Sequence, residues 1–227
     1  MTSPQEDKLG LEDNEIKCKV VLLGKSGVGK TSIISRYISN TFKESLMTTP
    51  GANFITKKVE FPESKKTIKF EIWDTAGQER YRSLAKVFYN NASACILVYD
   101  ITKKDSFDDV RDYWIPELKN NAPKNIILVL AGNKSDLYLN EQVNDEEGKA
   151  LAKKHNAIYL RTSAKLNSSI DEVFNNIGNK YLNPDMEITS NLTKEEMIQK
   201  SEKLRRDKIK LENNNNNNNN NNKKKCC

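Results

Sequence analysis

The chain has 227 residues, of which 37% are hydrophobic and 30% charged, and its formal net charge is +6. This length suits a single α/β domain with tails, and a moderate charge without a basic stripe and interleaved aromatic residues argues against a nucleic-acid-binding protein. We expect neither a signal peptide nor a membrane-spanning helix, because the N-terminus is charged and no apolar run is long enough to cross a bilayer.

The two ends of the sequence differ in composition from its middle. Residues 1–15 are polar and acidic, and residues 213–222 are an unbroken run of Asn. Such segments bury too little apolar surface to offset the entropy that is lost on ordering. The sequence therefore predicts a disordered extension over 1–15, a globular domain over 16–182, and a largely disordered tail over 183–227.

Apolar runs alternate with helical patterns along the predicted domain. Strands are predicted at 16–23, 52–61, 67–73, 94–100, 125–131 and 157–162, and helices at 30–39, 84–91, 106–119, 145–155 and 168–181. Continuously apolar runs such as 94–100 are typical of parallel strands covered on both faces, whereas the short polar gap after 52–61 indicates a hairpin. We expect an α/β fold: a doubly wound, mostly parallel six-stranded sheet with one antiparallel edge strand, helices on both faces, and ligands at the carboxyl ends of the strands.

The first motif, GKSGVGKT, lies at Gly24–Thr31 between a predicted strand and a predicted helix. This is the pattern of a phosphate-binding loop, in which backbone N–H groups and the helix N-terminus cradle the phosphates of a nucleoside triphosphate. Lys30 is expected to reach the β- and γ-phosphates, and the Thr31 hydroxyl to ligate Mg²⁺. The nucleotide-binding residues predicted here are Ser26, Gly27, Val28, Gly29, Lys30, Thr31 and Ser32.

The second motif is DTAGQ, which begins at Asp74 at the end of the third predicted strand. Asp74 is positioned to hold the Mg²⁺ shell, and Gly77 can bring its N–H against a γ-phosphate. Gln78 is the predicted catalytic residue, because a glutamine at this place can orient the attacking water for in-line hydrolysis.

The third and fourth motifs point to guanine as the base. Asn133, Lys134 and Asp136 follow one strand, and Ser163, Ala164 and Lys165 follow the next. A carboxylate at 136 accepts from guanine N1 and N2, whereas adenine would leave it unpaired. The stem of Lys134 can lie along the base plane, and a backbone N–H near Ala164 can reach guanine O6.

GKSGVGKT, DTAGQE, NKSD and TSAK in this order resemble the Ras superfamily of small GTPases over residues 16–182. FEIWDTAGQERYRSL and LVYDIT are similar to the Rab family, and together with GANF at 51–54 the first of these resembles its early-endosomal branch. The resemblance implies that Phe42 packs on the guanine edge, and that Thr49 joins Thr31 and Asp74 on Mg²⁺ only in the triphosphate state. It also implies that the protein is a monomeric switch in vesicle traffic that hydrolyses GTP slowly. The partners that it implies are an exchange factor, an activating protein, escort and GDP-dissociation-inhibitor proteins, and effectors.

The sequence departs from the family pattern on two surfaces that partners would touch. Thr49-Pro50-Gly51 replaces Thr-Ile-Gly, and Phe88-Tyr89-Asn90-Asn91-Ala92 replaces Tyr-Tyr-Arg-Gly-Ala. Proline biases Thr49 toward extended conformations. We expect an intact nucleotide site, an altered set of partners, and an unusually ordered segment around Thr49 in the GTP form.

The chain ends in Lys223-Lys224-Lys225-Cys226-Cys227. The sequence by itself allows a disordered end with two free thiols. The family resemblance implies instead that Cys226 and Cys227 are both geranylgeranylated, which satisfies the two-signal requirement for stable anchoring, while the lysines attract an anionic leaflet. The expected location is the cytoplasmic face of an intracellular, endosomal membrane, in exchange with the cytosol.

The remaining cysteines and the single histidine suggest no further chemistry. Cys18 and Cys95 fall in predicted strands and are expected to be buried as small hydrophobic residues, while His155 is expected at the surface end of a helix. No spacing of Cys and His indicates a zinc site.

Two other functions remain open at this point. A kinase can use the same phosphate loop, although it needs an acceptor pocket and a lid for which the chain has no extra domain. A nucleotide-locked GTP-binding scaffold that cycles poorly is compatible with Pro50, although Gln78 argues against it.

Overall fold

The computed structural model describes residues 15–44, 47, 49–77 and 82–186. The predicted extension over 1–15, except for Glu15, and the predicted tail beyond 186 lie outside these residues. The strands are β1 (Glu15–Leu23), β2 (Ala52–Phe61), β3 (Lys66–Thr75), β4 (Ala94–Asp100), β5 (Ile127–Asn133) and β6 (Ile158–Arg161). The helices are α1 (Lys30–Ser39), α2 (Arg82–Tyr89), α3 (Lys104–Asp109), α4 (Ile115–Asn121), α5 (Asp145–Lys154) and α6 (Ile170–Leu182).

The six strands form one sheet in the order β2-β3-β1-β4-β5-β6. Only the β2–β3 pair is antiparallel, and every other neighbouring pair is parallel. The predicted architecture, with its single antiparallel edge strand, is therefore confirmed.

A hydrophobic core covers each face of the sheet. Side chains of α1 and α6, such as Ile33 and Phe174, pack on one face, and side chains of α3–α5, such as Phe107 and Leu151, pack on the other. Every residue of β4 is buried, as its continuously apolar sequence predicted. Cys18 and Cys95 are buried in the two cores as predicted, and burial raises the pKa of the Cys18 thiol to about 12.

One predicted helix differs from the structure in its start and in its hydrogen bonding. The helix predicted at 106–119 begins at Lys104 and contains a π-helical turn over Val110–Trp114, where the N–H of Ile115 donates to the carbonyl of Val110. Pro116 follows at once, and because proline has no N–H, a wider turn before it leaves fewer backbone groups unpaired. His155 lies at the end of α5, as predicted, where it is half-buried, and burial lowers its pKa.

The strands that approach the site run further than predicted. β3 continues to Thr75 because Asp74 pairs with Leu22 of β1 and Thr75 pairs with Ala52 of β2. β5 continues to Asn133, which pairs with Asp100. No helix among the described residues is long and apolar enough to cross a membrane.

Candidate nucleotide site

A cleft of about 380 Å³ opens at the carboxyl ends of the strands, where the sequence predicted a ligand. Most of the predicted binding residues line it: Ser26, Gly27, Gly29, Lys30, Thr31, Ser32, Phe42, Thr49, Gly77, Asn133, Lys134, Asp136, Ala164 and Lys165. Val28, Asp74 and Ser163 do not line it, and their side chains are buried behind its wall. Four motifs that are up to 140 residues apart in sequence thus meet in one cavity.

The cleft also contains residues for which no binding role was predicted: Lys43, Glu44, Met47, Thr75 and Leu137. Thr75 and Leu137 each directly follow a predicted binding residue, so their positions in sequence were a usable signal. The other three lie in the irregular segment between α1 and β2, where Lys43 directly follows the predicted Phe42 and no sequence pattern indicates Glu44 or Met47. Gln78, Cys226 and Cys227 lie outside the described residues.

The phosphate loop is tied to the base-binding side of the cleft by Asn133. Its amide Nδ2 donates to the carbonyl of Val28 at 2.8 Å, and the side chain is 1% exposed. Gly29 begins α1 with a φ of +99°, and a Cβ on this residue would collide with that same amide. Asn133 therefore holds the phosphate loop in shape, in addition to lining the cleft.

Lys30 lies at the floor of the phosphate loop and is 5% exposed. Its ammonium donates to the carbonyls of Gly24 at 2.8 Å and Lys25 at 3.1 Å. Burial lowers the pKa of Lys30 to about 8, although the nearby carboxylate of Asp74 acts in the opposite direction. A buried cation with only neutral oxygens as hydrogen-bond partners is set up to bind an anion.

Gly77 closes the phosphate side of the cleft. An added Cβ would lie 2.5 Å from the backbone nitrogen of Ser26 and 2.6 Å from the carbonyl carbon of Lys25. Only glycine permits this close approach. The backbone at Gly77, just after β3, can therefore contact the same ligand as the phosphate loop.

Three oxygen-bearing side chains meet beside Lys30. The Thr31 hydroxyl donates to Asp74 Oδ2 at 2.7 Å and lies 2.8 Å from the Thr49 hydroxyl. Asp74 is 1% exposed, its Oδ1 has no hydrogen-bond partner among the described residues, and burial raises its pKa. One carboxylate and two hydroxyls with an orphaned buried oxygen fit a hard divalent cation that keeps several waters, which is how Mg²⁺ binds beside phosphates.

The segment that carries Thr49 is joined to the end of β3. The N–H of Ala76 donates to the carbonyl of Gly51 at 2.6 Å. This bond connects the two segments that the sequence predicted to respond to the γ-phosphate.

The base-binding end is built from a hydrogen-bond network between two loops. Asp136 is 7% exposed, and its Oδ1 accepts from the Ser163 hydroxyl at 2.6 Å. Asn133 Oδ1 accepts from the Thr162 hydroxyl at 3.2 Å and from the N–H of Ala164 at 3.4 Å. These bonds fix the Asp136 carboxylate and the Ala164 amide on the same side of the cleft.

The two lysines of this end form ion pairs. Lys134 Nζ lies 2.7 Å from Asp100 Oδ2, which holds its stem across the cleft wall. Lys165 Nζ lies 2.8 Å from Glu44 Oε1, across the mouth of the cleft from the segment near Phe42. Phe42 itself is partly buried against the core that α1 and α6 share.

Comparisons with known proteins agree with this geometry. A sequence model of the Ras family matches residues 19–183. The chain is 46% identical over 167 residues to Ras-related protein RabJ of Dictyostelium discoideum, a match that covers 74% of this chain and 64% of that one. It is 46% identical over 159 residues to Ras-related protein RGP2 of Oryza sativa subsp. japonica (70% and 72% covered) and 41% identical over 172 residues to Ras-related protein Rab-22A of Homo sapiens (76% and 87%).

The family model covers well over half of the chain, and the relatives carry Ras-related names, two of them Rab names. The chain therefore belongs to the Ras family, in which it is a Rab small GTPase, a GTP-binding switch of vesicle trafficking.

Proposed function

We propose that this GTPase is anchored to the cytoplasmic face of endocytic membranes and recruits effectors there while GTP is bound. The domain over 16–182 carries the switch, and the segments over 1–15 and 183–227 flank it. The observation that supports the proposal best is the meeting of a phosphate loop, an oxygen cluster and a buried guanine-specific carboxylate in one cleft.

The phosphate end binds charge through Lys30 and the backbone. Residues Ser26–Ser32 present N–H groups at the N-terminus of α1, where the helix dipole also favours an anion. A phosphate oxygen supplies the negative charge that Lys30 lacks among its present carbonyl partners. Gly77 admits the γ-phosphate without a steric collision, so its N–H can respond to the third phosphate.

Thr31, Thr49 and Asp74 are the residues that would hold Mg²⁺. When bound, the ion would neutralise the negative charge that develops in phosphoryl transfer. Thr49 would join it only in the triphosphate state. The hydrogen bond from the N–H of Ala76 to the carbonyl of Gly51 would connect that change to the residues after Asp74.

The base end selects guanine. Asp136 keeps one carboxylate oxygen on Ser163, which orients the group toward the cleft for the N1 and N2 donors of guanine. The N–H of Ala164 donates to O6, while the side chains of Lys134, Lys165 and Phe42 border the base.

Hydrolysis depends on Gln78, which orients the attacking water. No arginine among the described residues lines the cleft, and we propose that an activating protein supplies an arginine finger, with a rate gain of about 10³–10⁵. Geranylgeranyl groups on Cys226 and Cys227 provide the two chains that stable anchoring requires. Similarity to Rab-22A, together with GANF and FEIWDTAGQERYRSL, supports the endocytic assignment.

Single-turnover release of phosphate from GTP-loaded protein tests this proposal. We expect slow release from the wild type in the presence of Mg²⁺, and still slower release from Gln78→Leu, because leucine cannot orient water. Absence of release from both proteins, with GTP still bound, would instead favour the nucleotide-locked scaffold.

A further inference from the structure

A buried ion pair connects the two base-binding loops away from the cleft. Arg161 Nη1 donates to Glu141 Oε1 at 2.8 Å and Nη2 donates to Oε2 at 3.1 Å, which is a bidentate arrangement. The Arg161 side chain is 4% exposed and that of Glu141 11%. Neither residue belongs to the motifs, and neither lines the cleft.

The pair lies at the far end of a ladder of bonds between the loops. Arg161 ends β6 and directly precedes the loop of Ser163 and Ala164, while Glu141 follows Asp136 by five residues. Nearer the cleft, the N–H of Ser135 donates to the carbonyl of Thr162 at 3.0 Å. The ion pair is the last side-chain connection in this ladder.

The segment between Asp136 and Glu141 has little else to hold it. It is a 3₁₀ turn over Ser135–Asn140, and none of its residues from 137 to 140 is buried. Leu137 is 40% exposed and Leu139 83%. Packing therefore does not fix this turn, and its distal end is fixed by the Glu141 side chain and by backbone bonds from Gln142 and Val143 to Ile101.

A buried ion pair gains little net stability over apolar residues of similar volume, whereas its directional geometry fixes which groups face each other. We propose that Arg161 and Glu141 are positioning residues for guanine recognition. They keep the Asp136 loop aligned with the Ala164 loop, so that the Asp136 carboxylate and the backbone N–H of Ala164 face the same edge of the base. This inference rests on the proposed role of Asp136 in guanine binding.

The test compares GDP with inosine diphosphate, which lacks the 2-amino group of guanine. In the full-length wild type we expect GDP to bind about tenfold to a hundredfold more tightly, because a hydrogen bond to a buried carboxylate is lost with that amino group. Affinities are measured by displacement of a fluorescent, ribose-labelled GDP. Binding of ADP by the wild type is measured alongside.

Arg161→Met removes the charge with little change in volume and leaves Glu141 without its partner. We expect the preference for GDP over inosine diphosphate to fall about tenfold, toward unity, and GDP release to accelerate by a similar factor. The double variant Glu141→Arg with Arg161→Glu reverses the pair and should restore the preference to within about threefold. Glu141→Gln keeps the volume and an acceptor oxygen, and tests the same point if Arg161→Met does not fold.

Leu118→Ala provides the matched control, since Leu118 is buried in α4, in the core on the α3–α5 face of the sheet, and does not line the cleft. It lowers the melting temperature without touching the base-binding loops. A preference that stays at the wild-type value in Arg161→Met and Glu141→Gln, despite a melting temperature as low as that of Leu118→Ala, would overturn the inference. A wild type that binds ADP as tightly as GDP would refute the proposed function itself, whatever the variants do.

Discussion

We predict that the protein takes up protons at alkaline pH when the nucleotide binds, because the pKa of Lys30 is lowered. Burial lowers the pKa of this residue to about 8 in the nucleotide-free protein. Phosphate oxygens beside the ammonium would bring its pKa back to the ordinary value for lysine or above. Nucleotide binding at alkaline pH should therefore protonate Lys30.

The size of this effect follows from the two pKa values. At pH 9 roughly a tenth of the free protein carries charged Lys30, whereas nearly all of the complex does, so binding takes up about 0.9 proton. The apparent affinity for GDP should fall about tenfold between pH 7 and pH 9 for the same reason. Near pH 6.5 Lys30 is charged in both states, so its contribution vanishes.

Titration calorimetry in buffers of different ionisation enthalpy measures the uptake directly. Lys30→Arg is the control, because a guanidinium stays charged at every pH used. Uptake near zero in the wild type at pH 9, or equal uptake in Lys30→Arg, would refute the reasoning.

The lowered pKa of Lys30 also makes the stability of the protein depend on pH. The direction is opposite to that for a lysine whose pKa is raised by an ion pair. Between pH 8 and 10.5 the unfolded chain binds a proton at Lys30 that the folded, nucleotide-free protein does not. The free energy of unfolding should therefore rise with pH through this window, by about 3 kcal/mol once the pH has passed both pKa values. Urea unfolding of the nucleotide-free protein and of Lys30→Met isolates this contribution.

Three further substitutions test the packing, the base recognition and the anchor. In Gly178→Ala the new Cβ would lie 2.6 Å from Phe61 Cε1, so urea unfolding should show a loss of about 1–3 kcal/mol, and an unchanged midpoint would show that the ring moves freely aside. Asp136→Asn offers guanine a donor where it needs an acceptor, so GDP affinity should drop about a hundredfold in a displacement assay, and an unaltered affinity would remove Asp136 from base recognition. Cys226→Ser combined with Cys227→Ser should move the protein from the membrane pellet to the supernatant on fractionation of cells, whereas persistent pelleting would rule out a lipid anchor at these thiols.

Much of the fold was predictable from the pattern of apolar residues. The strand at 94–100 was predicted at its observed bounds, because a run of buried residues between turn signals admits few other structures. The ends of β3 and β5 were predicted two residues short, because polar Asp74 and Asn133 belong to strands only through pairing with distant neighbours. The π-helical turn before Pro116 reflects backbone bonding that side-chain periodicity does not encode.

The candidate site, like the fold, was predictable from the sequence only in part. Motif spacing predicted most of the residues that line the cleft, since each motif follows a parallel strand of the sheet, whereas Phe42 and Thr49 were predicted from the family resemblance. It did not predict that Asn133 ties the phosphate loop to the base-binding loop, or that Lys134 pairs with Asp100. The contact between Arg161 and Glu141 joins positions twenty residues apart, and no local pattern indicates such a pairing.

The central claim is that GTP orders the segment around Thr49 together with the residues after Asp74. Hydrogen exchange measured on the protein loaded with GDP, and then with a non-hydrolysable GTP analogue and Mg²⁺, tests it most directly. We predict slower exchange over 42–51 and 74–86 in the triphosphate state than in the GDP state, and no change in β6. Within 42–51, exchange should be slowest in the residues next to Pro50. Equal exchange in both nucleotide states over these two ranges would contradict the account.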